Sequence, residues 1–126
     1  MKHDCDGYNC PIGTTLNLIG GKYKSLILWH LIGRTLRFGE LQRLIPQATP
    51  KMLTQQLREL ERDNLLIRTV YPVVPPKVEY HLSDFGKSIK PILMTIYDWG
   101  IDYLKSHGLE ANCSMGKQFR YGAADR

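Results

Sequence analysis

The sequence predicts a mainly α-helical chain carrying one small β-hairpin, an α+β fold with the hairpin placed before the last helix. Three observations predict it. Apolar residues recur at helical spacing in separate stretches from Pro11 to Tyr103. Strict alternation is confined to residues 77–82, where Val78, Tyr80 and Leu82 interleave with Lys77, Glu79 and His81, the period of a half-buried strand. Val74-Pro75-Pro76 joins that strand to an apolar run over residues 66–73.

Taken in order, residues 1–9 form a polar leader without periodicity. Cys10-Pro11 opens the folded part, because a first helical turn tolerates a missing N–H. Leu16, Ile19 and Ile12 share one face of this first helix, which Gly20-Gly21 breaks. A second helix starts near Lys22, with Tyr23, Leu26, Ile27 and Leu31 as its buried stripe and Gly33 as its stop. Thr35-Leu36-Arg37 is a short extended piece. Phe38, Leu41, Leu44 and Ile45 line a third helix closed by Pro46. After the tight connection Gln47-Ala48-Thr49, residues 50–63 form a fourth. Thr49 is its N-cap, Pro50 its first residue and Asn64 its left-handed exit. Leu53, Leu57 and Leu60 face inward, so Lys51, Gln55, Arg58 and Arg62 point outward.

Two strands follow, over residues 66–73 and 77–82. The prolines at their tip remove donors that could pair with a foreign edge. Ser83 is then expected to cap one long last helix, through Phe85, Ile89, Ile92, Leu93, Ile96, Trp99 and Tyr103, kinked at Pro91 where the bond to the Lys87 carbonyl is lost. Met94, Tyr97 and Ile101 give that helix more apolar surface than one packed stripe uses. The expected organisation is a leader (1–9), a single folded domain (10–107) and a polar tail (108–126).

The 126 residues suffice for one core without disulfides. No apolar run approaches the roughly 20 residues of a membrane span, and the polar start lacks signal-peptide character. The expectation is a cytoplasmic protein with no membrane partner, whose Cys5, Cys10 and Cys113 rest as thiols. The formal net charge of +5 is uneven. Residues 22–77 carry ten Lys and Arg against four Asp and Glu, whereas residues 78–126 carry six of each. That local excess attracts polyanions.

Two helices across a tight turn, followed by a two-stranded wing, predict a winged helix-turn-helix whose second helix enters the major groove of double-stranded DNA. Arg58 and Arg62 suit bidentate bonds to guanine, and Gln55 suits adenine. Lys51, Thr54, Arg37, Arg43 and Lys77 suit phosphates, which position without reading sequence. Glu59 and Glu61 are expected to pair with bases of their own helix at i, i+3 or i+4. The competing reading is a winged helix used only for protein contacts, which would have no need of Lys51, Arg58 and Arg62 together. No cofactor or catalytic motif is found: P-loop, dinucleotide-binding glycines and nucleophile elbow are all missing, and Asp98 and Asp102 read as solvated. His3, Cys5, Cys10, His107 and Cys113 match no compact zinc module, and His30 and His81 read as interior-edge and strand-surface residues.

The chain resembles the HxlR-type regulators, a branch of the MarR-related winged-helix proteins. The resemblance is carried by Cys10-Pro11, Leu18-Ile19-Gly20-Gly21-Lys22, Leu28-Trp29-His30-Leu31 and Arg37-Phe38-Gly39-Glu40-Leu41. It continues through Met52-Leu53-Thr54-Gln55-Gln56-Leu57-Arg58-Glu59-Leu60 and Val74-Pro75-Pro76-Lys77-Val78-Glu79-Tyr80 to Trp99-Gly100. It implies a transcription regulator that is a homodimer through its first and last helices, placing two recognition helices about one DNA turn (roughly 34–36 Å) apart on a near-palindromic operator. It also implies a small-molecule or oxidant signal, since several members sense oxidants or electrophiles through a cysteine at the position of Cys10. A helix start favours thiolate there, and Cys113 of the other subunit is the candidate partner. Two departures stand out: Tyr23 replaces the usual Trp, and Ala48-Thr49-Pro50 differs from the usual start of the recognition helix.

Overall fold

In the computed structural model, which describes residues 9–112, the elements run α1 (Pro11–Ile19), α2 (Lys24–Leu31), α3 (Phe38–Leu44), α4 (Pro50–Arg62), β1 (Leu66–Tyr71), β2 (Lys77–Leu82), α5 (Asp84–Lys87) and α6 (Lys90–Ser106). They fall into two units. Met1–Ser88 holds α1 to α5 with the hairpin, and Ile89–Arg126 holds α6.

Within the first unit, α2 is the central element, packed by α3, α4 and β2. Its sides are therefore covered beyond one stripe. Tyr23, Ile27 and Leu31 are buried as the spacing predicts, but so are Leu28 and Trp29. Leu26, expected inside, is 37% exposed. Ile27, Leu28, Leu31, Leu41, Ile45, Leu53, Leu57, Leu60 and Leu66 are the largest fully buried side chains. Burying each contributes about 1.5–3 kcal/mol. Gly33, at φ +74, turns the chain out of α2 as expected.

The hairpin pairs Leu66 with Leu82 through to Tyr71 with Lys77, antiparallel. β1 stops two residues sooner than its apolar run, since Pro72 offers no N–H and the Val73 N–H turns back to the Tyr71 carbonyl at 2.8 Å. Leu36 adds a one-residue third strand, exchanging both backbone hydrogen bonds with Tyr80 at 3.0 and 2.8 Å. Thr35-Leu36-Arg37 is thus extended because it borders a sheet.

The expected single last helix is two helices. Ser83 does cap a helix, accepting from the Gly86 N–H at 2.8 Å, but α5 ends at Lys87. Pro91 lies in the first turn of α6, where its missing donor costs nothing, so there is no interior kink. Ser83 also donates from Oγ to the Asn64 carbonyl (2.7 Å) and from its N–H to the Leu65 carbonyl (3.1 Å). A Cβ on Gly86 would collide with that same Leu65 carbonyl. The exit of α4 is thereby tied to the entry of α5.

In α6, Leu93 and Met94 are buried, whereas Ile92, Ile96, Trp99 and Tyr103 are exposed at i, i+4, i+7 and i+11 spacing. Trp99 is 71% exposed. Its ring stacks with Tyr103 at 6.0 Å, and Tyr103 with His107 at 4.2 Å. Asp98 is half-buried, not solvated as expected, while Asp102 is exposed. Among the described residues no helix is long and apolar enough to cross a membrane.

Candidate nucleic-acid interface

The best-defined element is α4. The Thr49 hydroxyl accepts the Met52 N–H at 3.1 Å, Pro50 occupies the first turn, and Asn64 takes the left-handed exit at φ 65. The helix proper ends at Arg62, with Asp63 as its cap, one residue short of the expected span. Removing the cap by Thr49→Ala should cost about 0.5–2 kcal/mol in denaturant unfolding.

Leu53, Leu57 and Leu60 are buried, and Lys51, Gln55, Arg58 and Arg62 are exposed. With 100° per residue, those four outward residues fall within about 40° of one line. The structure therefore brings together on one face Gln55, Arg58 and Arg62, which the sequence assigns to base reading, and Lys51, which it assigns to phosphate. Thr54 is half-buried at the flank of that face. With Leu57, Arg58, Glu61, Arg68 and Tyr80 it lines a concavity of about 340 Å³ between α4 and the hairpin. Burial holds the Tyr80 phenol above its ordinary pKa.

The phosphate candidates are spread more widely. Arg37 caps α3 and is exposed; its backbone N–H donates to Glu40 at 2.8 Å. Arg43 is exposed in the last turn of α3. Lys77 opens β2, with its ammonium 4.9 Å from the centre of the Tyr71 ring and 3.4 Å from Glu79. Part of its charge is already matched by these neighbours.

The acidic residues of α4 do not pair as expected. Glu59 reaches off the helix to Lys24 on α2, at 2.7 Å, and accepts from Gln55 Nε2 at 2.7 Å through its other oxygen. The hydrogen bond from Lys24, then that from Gln55, hold its carboxyl below the ordinary range. Glu61 pairs with Arg68 of β1 at 3.5 Å. In both cases a tertiary neighbour displaces the i, i+3 or i+4 partner.

Three residues with a bearing on this face escape the sequence reading. Lys24 is only 5% exposed, where helix periodicity gives no reason to place a charge. Gln56 accepts the Tyr23 N–H at 3.0 Å, and a Cβ on Gly21 would come within 2.6 Å of the same amide oxygen. Arg68 joins Arg58 at the concavity. No periodic signal marks any of the three: burial along β1 does not alternate, and Lys24 and Gln56 answer residues distant in sequence.

Cys10 is the N-cap of α1 and is buried, with 9% of its surface exposed. Cys113, Cys5 and His3 lie outside the described residues. Among the described residues, no group of three or more His, Cys, Asp or Glu could hold a metal ion. His30 and His81 are both half-buried. Burial, then the Arg34 charge, lowers the pKa of His30.

Comparison with known proteins bears on these elements together. Residues 18–108 match the family model described as HxlR-like helix-turn-helix. The chain is 51% identical over 98 residues to the HTH-type transcriptional regulator YdeP of Bacillus subtilis, covering 78% of this chain and 77% of that protein. Among solved structures, the redox regulator HypR in its oxidized form shares 47% identity with a TM-score of 0.71, over 74% of this chain and 96% of that one. The structure of the HTH-type transcriptional regulator ytcD gives 51% identity and a TM-score of 0.72, over 75% and 96%. The family model spans α2 to α6, including the capped, outward-basic α4 and the hairpin beside it. The chain belongs to the HxlR-like helix-turn-helix family, a family of DNA-binding transcription regulators.

Proposed function

We propose that a homodimer of this chain reads a near-palindromic operator in double-stranded DNA, with α4 of each protomer in a major groove. The observation that carries this reading is the outward face of α4, where Lys51, Gln55, Arg58 and Arg62 stand together over a leucine stripe locked in the core. Arg58 and Arg62 contact guanine and Gln55 contacts adenine. Lys51, Thr54, Arg37, Arg43 and Lys77 hold phosphates. The exposed apolar residues of α1 (Ile12, Leu16) and of α6 (Ile92, Ile96, Trp99, Tyr103) support dimerisation through both helices.

Fluorescence anisotropy with duplexes from the flanks of the chain's own gene tests the reading. Specific duplexes should bind at least about 10³-fold tighter than scrambled ones; equal binding to both would sink it. Arg58→Ala should lose about 1–3 kcal/mol of discrimination at one base pair per half-site. Lys77→Ala should instead weaken all duplexes alike.

Chemical control through Cys10 is supported by its place at the start of α1 and by the likeness to a redox regulator. The reaction joins the Cys10 thiol to Cys113 of the other subunit, two thiols giving one disulfide while a peroxide takes up two electrons and two protons. Peroxide should then change operator affinity and produce a covalent dimer on a non-reducing gel. Cys10→Ser should show neither response; identical behaviour of variant and wild type would exclude the switch.

A further inference from the structure

Glu59 joins two residues that have no reason to meet. Its Oε1 lies 2.7 Å from the Lys24 ammonium, and its Oε2 accepts from Gln55 Nε2 at 2.7 Å. The side chains of Lys24 and Glu59 are 6% and 24% exposed. Gln55 is exposed on the outward face of α4. A line of hydrogen-bonding groups therefore runs from the core, through one carboxylate, to a side chain on the surface.

This arrangement is unfavourable if it serves only to hold α2 against α4. A buried ammonium loses hydration that an apolar side chain would never need, and such pairs are frequently replaced without loss of stability. Its chemical consequence lies at the other end. A carboxylate is acceptor-only, so Gln55 must present its NH2 end to Glu59. One amide hydrogen is used in that bond. When the hydrogen trans to the carbonyl is the one so used, the other hydrogen and Gln55 Oε1 remain side by side, the donor–acceptor pair that matches adenine N7 and N6. Without Glu59, the amide could turn over and present its two edges interchangeably.

We infer that Glu59, clamped by Lys24, is a positioning residue that fixes the amide of Gln55 in one orientation and so sets the adenine preference of α4. This inference rests on Gln55 reading a base, as proposed above. Bound DNA gains an already ordered contact, because the ordering of the amide is complete in the free protein.

The test is in vitro selection from a pool of randomised duplexes, followed by sequencing, with the full chain and its variants. Gln55→Ala identifies the base pair that Gln55 reads. Glu59→Gln should reduce the adenine preference at that same pair by about 5-fold or more, while leaving preferences elsewhere intact. Because it removes a negative charge beside DNA, it should also raise affinity for unrelated duplexes. A merely misfolded variant would lose both. Lys24→Met, which frees Glu59 without neutralising it, should reduce the same preference if it folds; Glu59→Gln carries the test if it does not. The double variant Gln55→Ala/Glu59→Gln should match Gln55→Ala at that pair. Retained adenine preference in Glu59→Gln, with Gln55→Ala relaxed, overturns the positioning role alone. If Gln55→Ala relaxes no position, base reading by Gln55 falls, and the positioning role with it.

Discussion

Raising salt from about 50 to about 200 mM should weaken operator binding by a factor of about 10³–10⁵. The expectation comes from counting cations. Lys51, Arg37, Arg43 and Lys77 are four phosphate candidates per protomer, hence about eight in a dimer, and each contact releases condensed counterions. A slope near −0.9 per contact gives about −7 for log affinity against log salt. Removing Lys77 from both protomers should lower that slope by about two, whereas Arg58→Ala, if Arg58 reads guanine, should leave it nearly unchanged. A slope near zero in wild type would show that the basic surface is only solvated, as it would be in a winged helix used for protein contacts.

Leu53→Ala is expected to destabilise the fold by about 2–5 kcal/mol, measured by urea unfolding. Leu53 is fully buried on the inner stripe of α4, so truncation loses both its transfer energy and the contacts of its neighbours. The same deletion at Leu26, 37% exposed, should cost well under that amount. An equal cost at both positions would mean that Leu26 is as enclosed as Leu53, and that α2 sits differently against its neighbours.

Most of α4 is legible in the sequence because its signals are local. Thr49, Pro50 and Asn64 act on their own backbone neighbourhood, and the rotation per residue separates Leu53, Leu57 and Leu60 from Lys51, Gln55, Arg58 and Arg62. The hairpin is legible for the same reason, through alternation and the prolines at its tip. What periodicity cannot express is which distant residue answers a charge. Glu59 finds Lys24 and Glu61 finds Arg68 because packing brings these pairs together, against a weak intrahelical preference worth only about 0.2–0.5 kcal/mol. The boundary between α5 and α6 is hidden for a different reason. Pro91 is compatible with either a kinked interior or a first turn, and the apolar spacing runs through both. The burial of Leu28 and Trp29 follows from how many neighbours α2 has, a number that no single helix encodes.

Gly21 and Gln56 show what this packing means over evolutionary time. The amide of Gln56 occupies the space a side chain at position 21 would need, while accepting the Tyr23 N–H. The two positions are coupled: a side chain at 21 would push the Gln56 amide aside, and that movement would take the acceptor away from the Tyr23 N–H. The outward residues at 51, 55, 58 and 62 are under no such constraint from the core beyond the link from Gln55 to Glu59. Descendants of this chain can therefore acquire new operator preferences by substitutions on one side of α4, while its inner side is inherited as a matched set.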